Sequence, residues 1–290
     1  MTSILTCGYC HIDFPSGPQS CPHCARPSLF PNVIDAAATK EVESLSERYD
    51  DALQHAKQAG IASELACLEQ VANQSEACFS RTIEELSRLS SSDQELYTTH
   101  YQLVGAGARI PANNKWDKFR GAVDEKVFPN YKEHIRFALL TPNGMGLNYY
   151  GDCSFVLRED MIAHRSSAFE ENTMVFMEKH EIQVMAVLPT GYRSSWDDRG
   201  KLAVAKLYKR LTPGMKEKGV AALLITPKTR QTTDDFIEIH VYGSISIRTV
   251  SYVTIHKQTS EQKKRRAYQL RLKAMKERLA ALNIQCKVES

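Results

Sequence analysis

The first residues of this chain that could do chemistry are two cysteine pairs, Cys7-Gly-Tyr-Cys10 and Cys21-Pro-His-Cys24, separated by a short loop. Two such pairs can aim four thiolates at one tetrahedral Zn²⁺ ion. The surrounding stretch holds few apolar side chains, so it needs the binding energy of a metal to fold. We predict a structural zinc site, here called the zinc knuckle, over residues 1–34. Four protein ligands leave no open coordination position for catalysis.

Other side chains could change this ligand set. His11 and His23 are substitute ligands, but each lies beside a better-placed cysteine. Reduced bystander thiols or a redox pair are the other interpretations of the motif. The cysteines outside the zinc knuckle are scattered, which argues against a disulfide scaffold.

Polar residues in the carboxy-terminal half form clusters that strand packing does not require. Residues 149–152 read Tyr-Tyr-Gly-Asp, in which a glycine lets a ligand or a neighbouring backbone approach closely. In residues 164–172 an arginine, Arg165, precedes two hydroxyl side chains. A planar guanidinium fork suits a diphosphate. For residues 149–152 the alternative interpretation is a strand end followed by a turn. For residues 164–172 it is a capped turn with surface charge.

A third cluster lies in residues 235–243. Strict alternation puts Glu238, His240 and Tyr242 on one face of a strand, with isoleucine and valine on the other. A solvated outer face explains the alternation equally well.

The order of these clusters resembles the core of ADP-ribosyltransferase toxins, including bacterial toxins of phage-defence toxin–antitoxin systems. The resemblance covers residues 140–257 and also includes a helix with Trp196 and Arg199 at its start. It implies a split β-sandwich that holds NAD⁺, with a hydroxyl-bearing second strand and a catalytic glutamate on a late strand.

The resemblance implies roles for individual residues. Glu238 matches the catalytic carboxylate, which would stabilise the oxocarbenium-like state formed as the nicotinamide–ribose bond breaks. Arg165 would hold the pyrophosphate, and Tyr149 or Tyr150 would stack on nicotinamide. The remaining cofactor-binding residues that it implies are Gly151, Ser166 and Ser167.

Two departures from the family pattern bear on the substrate. Phe236 stands two positions before Glu238, where transferases that modify protein arginine often carry Glu or Gln. The resemblance therefore favours a nucleic acid, RNA before DNA, as acceptor, with a protein antitoxin and a chaperone as further partners. The Arg or His on the family's first strand has no clear counterpart, and Tyr149, Tyr150 and Arg165 are the candidates.

Two alternatives to a transferase stay open. One is a non-enzymatic, zinc-dependent nucleic-acid-binding protein, and the other is an NAD⁺ glycohydrolase. Convergence of Tyr150, Arg165, Ser166 and Glu238 on one cleft would favour an enzyme, because a binding protein has no reason to bring them together.

The elements that must position these residues change in type along the chain. From Ala36 to about Leu89 there is no proline, and apolar residues recur at helical spacing. We predict two helices broken near Gly60, which form an acidic helical hairpin arm within residues 35–100. This arm packs on the rest of the chain or binds a partner. Another helix is predicted over residues 115–128.

Beyond Pro142 the pattern changes to short strands. The predicted strands are 147–150, 154–157, 183–188, 220–226, 236–242, 245–247 and 252–256. One helix, 197–211, interrupts them. This order predicts an α+β fold, in which residues 101–290 form the NAD-binding, ADP-ribosyltransferase-like domain.

Charge is distributed unevenly. Residues 35–100 hold 5 basic and 13 acidic side chains, whereas residues 101–290 hold 31 basic and 20 acidic ones. From Lys263 onward, basic residues combine with an apolar stripe, which predicts a basic amphipathic helix. Its polar face could follow the phosphates of RNA or could be an ordinary solvated face.

Several classes of protein are excluded by what the sequence lacks. It has no Gly-rich phosphate loop, Gly-x-Gly-x-x-Gly, His-Glu-x-x-His or Gly-x-Ser-x-Gly motif. No apolar run is long enough to span a membrane, and the first residues do not form a signal peptide. We therefore expect a cytoplasmic protein.

Overall fold

The computed structural model describes residues 4–7, 10, 12–15, 21–25, 29–108, 110, 115–183, 186–227 and 234–289. Its helices and strands form a mixed α+β structure with one large sheet, which confirms the predicted fold class at this level. Within these residues, no helix has both the length and the apolar character needed to cross a membrane.

Twelve strands form three sheets in the described residues. They are β1 (Ile4–Thr6), β2 (Asp13–Pro15), β3 (Glu76–Arg81), β4 (Ile135–Thr141), β5 (Cys153–Leu157), β6 (Ser166–Phe169), β7 (Arg193–Ser195), β8 (Ile225–Thr226), β9 (Asp235–Phe236), β10 (Glu238–Tyr242), β11 (Val250–Ile255) and β12 (Gln285–Val288). Eight of them form a mixed sheet in the order β12-β11-β5-β3-β4-β10-β6-β7, whereas β1–β2 and β8–β9 pair separately. In the large sheet β11 and β12 are parallel, and the other neighbours are antiparallel.

Helices cover the large sheet. They are α1 (Pro31–Ala36), α2 (Thr39–Ala59), α3 (Ala62–Gln74), α4 (Ile83–Leu89), α5 (His100–Gly105), α6 (Lys115–Val127), α7 (Glu159–Ile162), α8 (Thr173–Lys179), α9 (Arg199–Leu207), α10 (Glu217–Ala222), α11 (Ser260–Lys264) and α12 (Arg266–Ala281). The main core lies between one sheet face, which includes Ile239 and Val241, and apolar helix residues such as Leu68 and Leu202.

The acidic helical hairpin consists of α2 and α3, as predicted. Gly60 ends α2 in the left-handed region at φ 67°, and its N–H donates to the carbonyl of Ala56. The apolar stripe of α2, with Leu45 and Ala52, is buried, and both helices contact α9. Of the two predicted possibilities, packing on the rest of the chain is therefore the one observed for this stripe.

The helical prediction is wrong at residues 76–81, which form β3. Its four central residues are buried, so the strand has no polar face and its sequence shows no alternation. Phe79 also falls into register with the helical stripe that continues in α4, which explains the error. Since β3 lies at the centre of the large sheet, residues 35–100 and residues 101–290 share that sheet.

The strand predictions are correct for β5, β10 and β11, and the strand predicted over residues 220–226 is correct only at its end, β8. Residues 148–150 and 247–249 are short 3₁₀-helices, and residues 217–222 form α10 before the two-residue strand β8. Val220 of α10 and Leu224, two residues after the helix ends, lie four positions apart and are buried, so they follow helical spacing. Residues 184–185 of the predicted strand 183–188 lie outside the described residues, and residues 186–188 are not in a strand. The predicted helix 197–211 is α9 followed by a 3₁₀ turn, and the helix predicted over 115–128 is α6.

The large sheet splits between β3 and β4. These strands pair from Glu76 and Thr141 to Cys78 and Leu139. Beyond this point the register of β3 continues only with β5, and that of β4 continues with β10. Two half-sheets therefore diverge from a common end.

Candidate functional site

The four cysteines of the zinc knuckle converge. The Sγ atoms of Cys7, Cys10, Cys21 and Cys24 all lie within 4.8 Å of one another. The Cys7–Cys24 and Cys10–Cys21 Sγ distances are both 3.6 Å. Four sulfurs around a tetrahedral zinc ion lie about 3.8 Å apart, given a bond length of about 2.3 Å. The predicted ligand set therefore fits a metal ion such as zinc.

Local structure aims these thiols. β1 leads into Cys7, whose N–H donates to the carbonyl of Ile12 just before β2. Backbone N–H groups of Cys10 and His23 donate to the Sγ atoms of Cys7 and Cys21. N–H donors to sulfur stabilise thiolates, as a structural metal site requires.

A cavity of about 460 Å³ lies at the split in the large sheet. Residues 79–81 of β3 and residues 135–139 of β4 line its two sides, which are the strand segments that part there. Side chains from β10, α5, α6 and the start of α8 complete the wall. The volume falls within the range of about 300–1,000 Å³ that small-molecule sites occupy.

Glu238 lies in this wall and is held by three donors. Its side chain is 4% exposed. Its Oε1 accepts a 3.0 Å hydrogen bond from Asn172 Nδ2, and Oε2 accepts one of 3.3 Å from the N–H of Thr173. His240 Nε2 lies 3.0 Å from Oε2. These groups fix the carboxylate in one orientation, which excludes the solvated-face interpretation of β10.

His240 is fixed from behind by aromatic rings. Its ring centroid lies 4.6 Å from that of Phe128, 5.4 Å from that of Phe137 and 5.8 Å from that of Phe169. The imidazole has little room to rotate, so it supports the position of the Glu238 carboxylate.

A second buried carboxylate, Asp124 of α6, lines the same cavity and is 1% exposed. Its Oδ2 accepts a 2.6 Å hydrogen bond from the Tyr101 hydroxyl and lies 3.5 Å from Arg120 Nε. Burial raises the pKa of Asp124, and the negative charge of Glu238 adds to the rise, whereas Arg120 and the Tyr101 hydrogen bond lower it.

A cationic group lines the β3 side of the cavity. Arg81 donates from its guanidinium to the Tyr97 hydroxyl and to the carbonyl of Ser80. Tyr150 lines the cavity near it. Glu85, the half-buried third carboxylate of the lining, lies 3.9 Å from Arg81 Nε. The cavity therefore combines Arg81, Glu85 and Tyr150 near β3 with the two buried carboxylates of Glu238 and Asp124.

The structure brings together only part of the cofactor site that the resemblance implies. Glu238 and Tyr150 share the cavity, but the Tyr149 hydroxyl donates to Asp234, and Tyr149 is not among the cavity residues. At Gly151 an added Cβ would overlap the backbone carbonyl group of Arg81. Close packing against β3 is thus enough to require this glycine.

The other three predicted cofactor residues also lie away from the cavity wall. Arg165 donates to the backbone carbonyls of Met161, Tyr242 and Ser244, and burial lowers its pKa to about 10. The Ser166 hydroxyl donates to the carbonyl of Ile162, and the Ser167 hydroxyl accepts from Asn32. These groups tie β6 to its neighbours.

Several cavity residues carry little or no signal of a functional site in the sequence. Asn172 carried a signal as a capping residue, and it does cap α8 while its amide donates to Glu238. Arg120 and Asp124 are spaced as a helical ion pair, which by itself is an ordinary surface pattern. Arg81 is the last residue of β3, in a segment that the sequence predicted to be helical.

Comparisons of the chain with protein-family models, with curated proteins and with solved structures give no match. Functional inference therefore depends on the geometry of the cavity.

Proposed function

We propose that this chain is an ADP-ribosyltransferase, in which Glu238 acts on NAD⁺ bound in the cavity at the split of the sheet. The observation that carries this proposal is the Glu238 carboxylate, held by three donors in the wall of a cavity of about 460 Å³. A fixed negative charge there stabilises the positive charge that develops on ribose as nicotinamide leaves.

The opposite wall supports the same assignment. Arg81 offers the charge that a diphosphate needs, and Tyr150 offers an aromatic face to the nicotinamide ring. In this proposal Arg81 takes the phosphate-binding role that the resemblance implied for Arg165. The split between β3 and β4 supports the implied split β-sandwich.

We further propose that the acceptor is a nucleic acid, with RNA favoured. The carboxy-terminal helix α12 buries Leu272, Met275 and Leu279, while basic side chains at its start and on its outer face are exposed. Such a surface attracts phosphates. In this account Zn²⁺ on Cys7, Cys10, Cys21 and Cys24 folds the zinc knuckle, the protein acts in the cytoplasm, and an antitoxin with its chaperone restrains it.

The test is nicotinamide release from NAD⁺ by the purified protein and by Glu238→Gln. We expect the substitution to lower the rate by about 100-fold or more, since it removes the charge but keeps the shape. Glu43→Gln is the matched control, because Glu43 is an exposed glutamate on α2. Equal rates for the parent and Glu238→Gln would contradict the proposal.

A further inference from the structure

Asp124 is the feature of the cavity that the proposed function leaves unused. It is a carboxylate with 1% exposure, and its burial carries a free-energy cost that packing alone would not require. An apolar residue at this position of α6 would avoid that cost.

The two buried carboxylates of the cavity, Glu238 and Asp124, differ in their hydrogen bonding. Both oxygens of Glu238 accept hydrogen bonds. Asp124 is bonded at Oδ2 by Tyr101, and among the described residues no hydrogen bond reaches its Oδ1. Both oxygens of Glu238 are therefore occupied, whereas Asp124 has an oxygen available to take up a proton.

The charges that face Asp124 come from three elements. Tyr101 of α5 and Arg120 of α6 favour its ionised form, while Glu238 of β10 opposes ionisation and His240 beside it favours ionisation. Burial and the charge of Glu238 outweigh the other groups and raise the pKa of the Asp124 carboxyl, which moves it toward the range in which a general base is effective near neutral pH.

Within residues 236–242, Glu238 is the one acidic side chain, and Asp234 and Asp235 before them are not among the cavity residues. Phe236, two residues before Glu238, lines the same cavity with an apolar ring that is 6% exposed. The second buried carboxylate of the cavity, Asp124, comes from α6, a different element.

We propose that Asp124 is a second catalytic residue, the general base that activates the acceptor. This inference rests on the proposed function. The oxygen or nitrogen of an acceptor O–H or N–H group forms a bond to C1′ of the ribose. The C1′–nicotinamide bond breaks, and its electron pair leaves with neutral nicotinamide. The acceptor proton passes to Oδ1 of Asp124 and then to solvent. This assignment limits the acceptor to nucleophiles that carry a proton, such as a nucleic-acid hydroxyl or exocyclic amine.

The test compares Asp124→Asn with the parent, using labelled NAD⁺ and total RNA, and measures label transfer and nicotinamide release in one reaction. We expect the ratio of transfer to release to fall by about 100-fold or more, because general-base catalysis contributes about 10²–10⁴-fold. The parent transfer rate should rise with pH through the titration of Asp124, and this dependence should vanish in Asp124→Asn. Thermal unfolding of both proteins checks the fold.

Tyr101→Phe provides a second variant that keeps the carboxylate. Loss of the Tyr101 hydrogen bond should raise the pKa of Asp124 further and move the acidic limb of the transfer profile to higher pH. A purely structural role for Asp124 predicts no such movement.

Two results would overturn the inference while leaving the proposed function standing. One is an unchanged ratio of transfer to release in Asp124→Asn. The other is a pH profile of transfer that is the same in Asp124→Asn as in the parent protein. A parent protein that neither transfers label nor releases nicotinamide would overturn the proposed function and this inference together.

Discussion

The zinc knuckle and the cavity at the sheet split differ in how their residues are brought together. The four thiols lie between Cys7 and Cys24, and their spacing alone defines the geometry. The cavity assembles side chains from Cys78 to Glu238 through strand pairing and helix packing. A site whose residues are close in sequence can therefore be predicted from their spacing. In a site formed by tertiary structure, only those residues that also belong to a local sequence pattern can be predicted.

Removal of the metal should have the largest effect, and it tests whether the zinc knuckle and the large sheet fold independently. Chelation, or Cys21→Ser, should unfold the zinc knuckle, because structural zinc sites contribute about 10–16 kcal/mol of binding free energy. The large sheet should persist, since its apolar core excludes the four cysteines. Zinc release followed with a colorimetric chelator, together with circular dichroism, checks this. Loss of the sheet on chelation would show that the two regions are not independent.

A second prediction separates packing from ligand binding at Gly151. Gly151→Ala should destabilise the protein by about 4 kcal/mol or more, because the new Cβ would overlap the backbone of Arg81. Gly121→Ala is the matched control, since its Cβ would meet no heavy atom within 4 Å. There we expect a gain of up to about 1 kcal/mol, as alanine is the better helix former. Thermal unfolding measures both. If Gly151→Ala kept the stability of the parent protein but bound NAD⁺ more weakly, the result would support the predicted role of Gly151 in cofactor binding.

The smallest effect is expected at the basic surface. Replacement of Lys264, Arg265 and Arg266 by Ala should weaken RNA binding by about tenfold and lower the slope of log affinity against log salt by about 2. Salt titrations of a fluorescent single-stranded RNA measure both quantities.

The control removes the same number of positive charges elsewhere. Lys209, Lys216 and Lys218 are exposed and lie outside α12, so their replacement by Ala should change RNA affinity less. Equal losses in the two triple variants would mean that net charge, rather than the helix surface, attracts RNA.

How far the sequence predicts the structure depends on the same distinction. The break at Gly60, the alternation in β10 and the apolar stripe of α12 are local patterns, and all three are found. β3 was missed because a strand buried on both faces has no periodicity that separates it from a helix.

The candidate site follows this rule residue by residue. Glu238 is identified because it stands in an alternating strand, and residues 164–172, which end at Asn172, carry only the signal of a capped turn. Asp124 carried no signal, because its approach to Glu238 depends on how α6 packs against the sheet. Arg165 has the right chemistry for a diphosphate, yet it lies outside the cavity wall and donates to three backbone carbonyls.

The central claim is that Glu238 transfers ADP-ribose from NAD⁺ to a nucleic acid. The most direct test incubates the zinc-loaded parent protein and Glu238→Gln with labelled NAD⁺ and total RNA, DNA or cell lysate. The account predicts label on nucleic acid, RNA above DNA, with the parent protein only. Nicotinamide release without label on any acceptor would indicate a glycohydrolase. Folded, zinc-loaded protein that neither releases nicotinamide nor transfers label would contradict the account and favour a non-enzymatic nucleic-acid-binding protein.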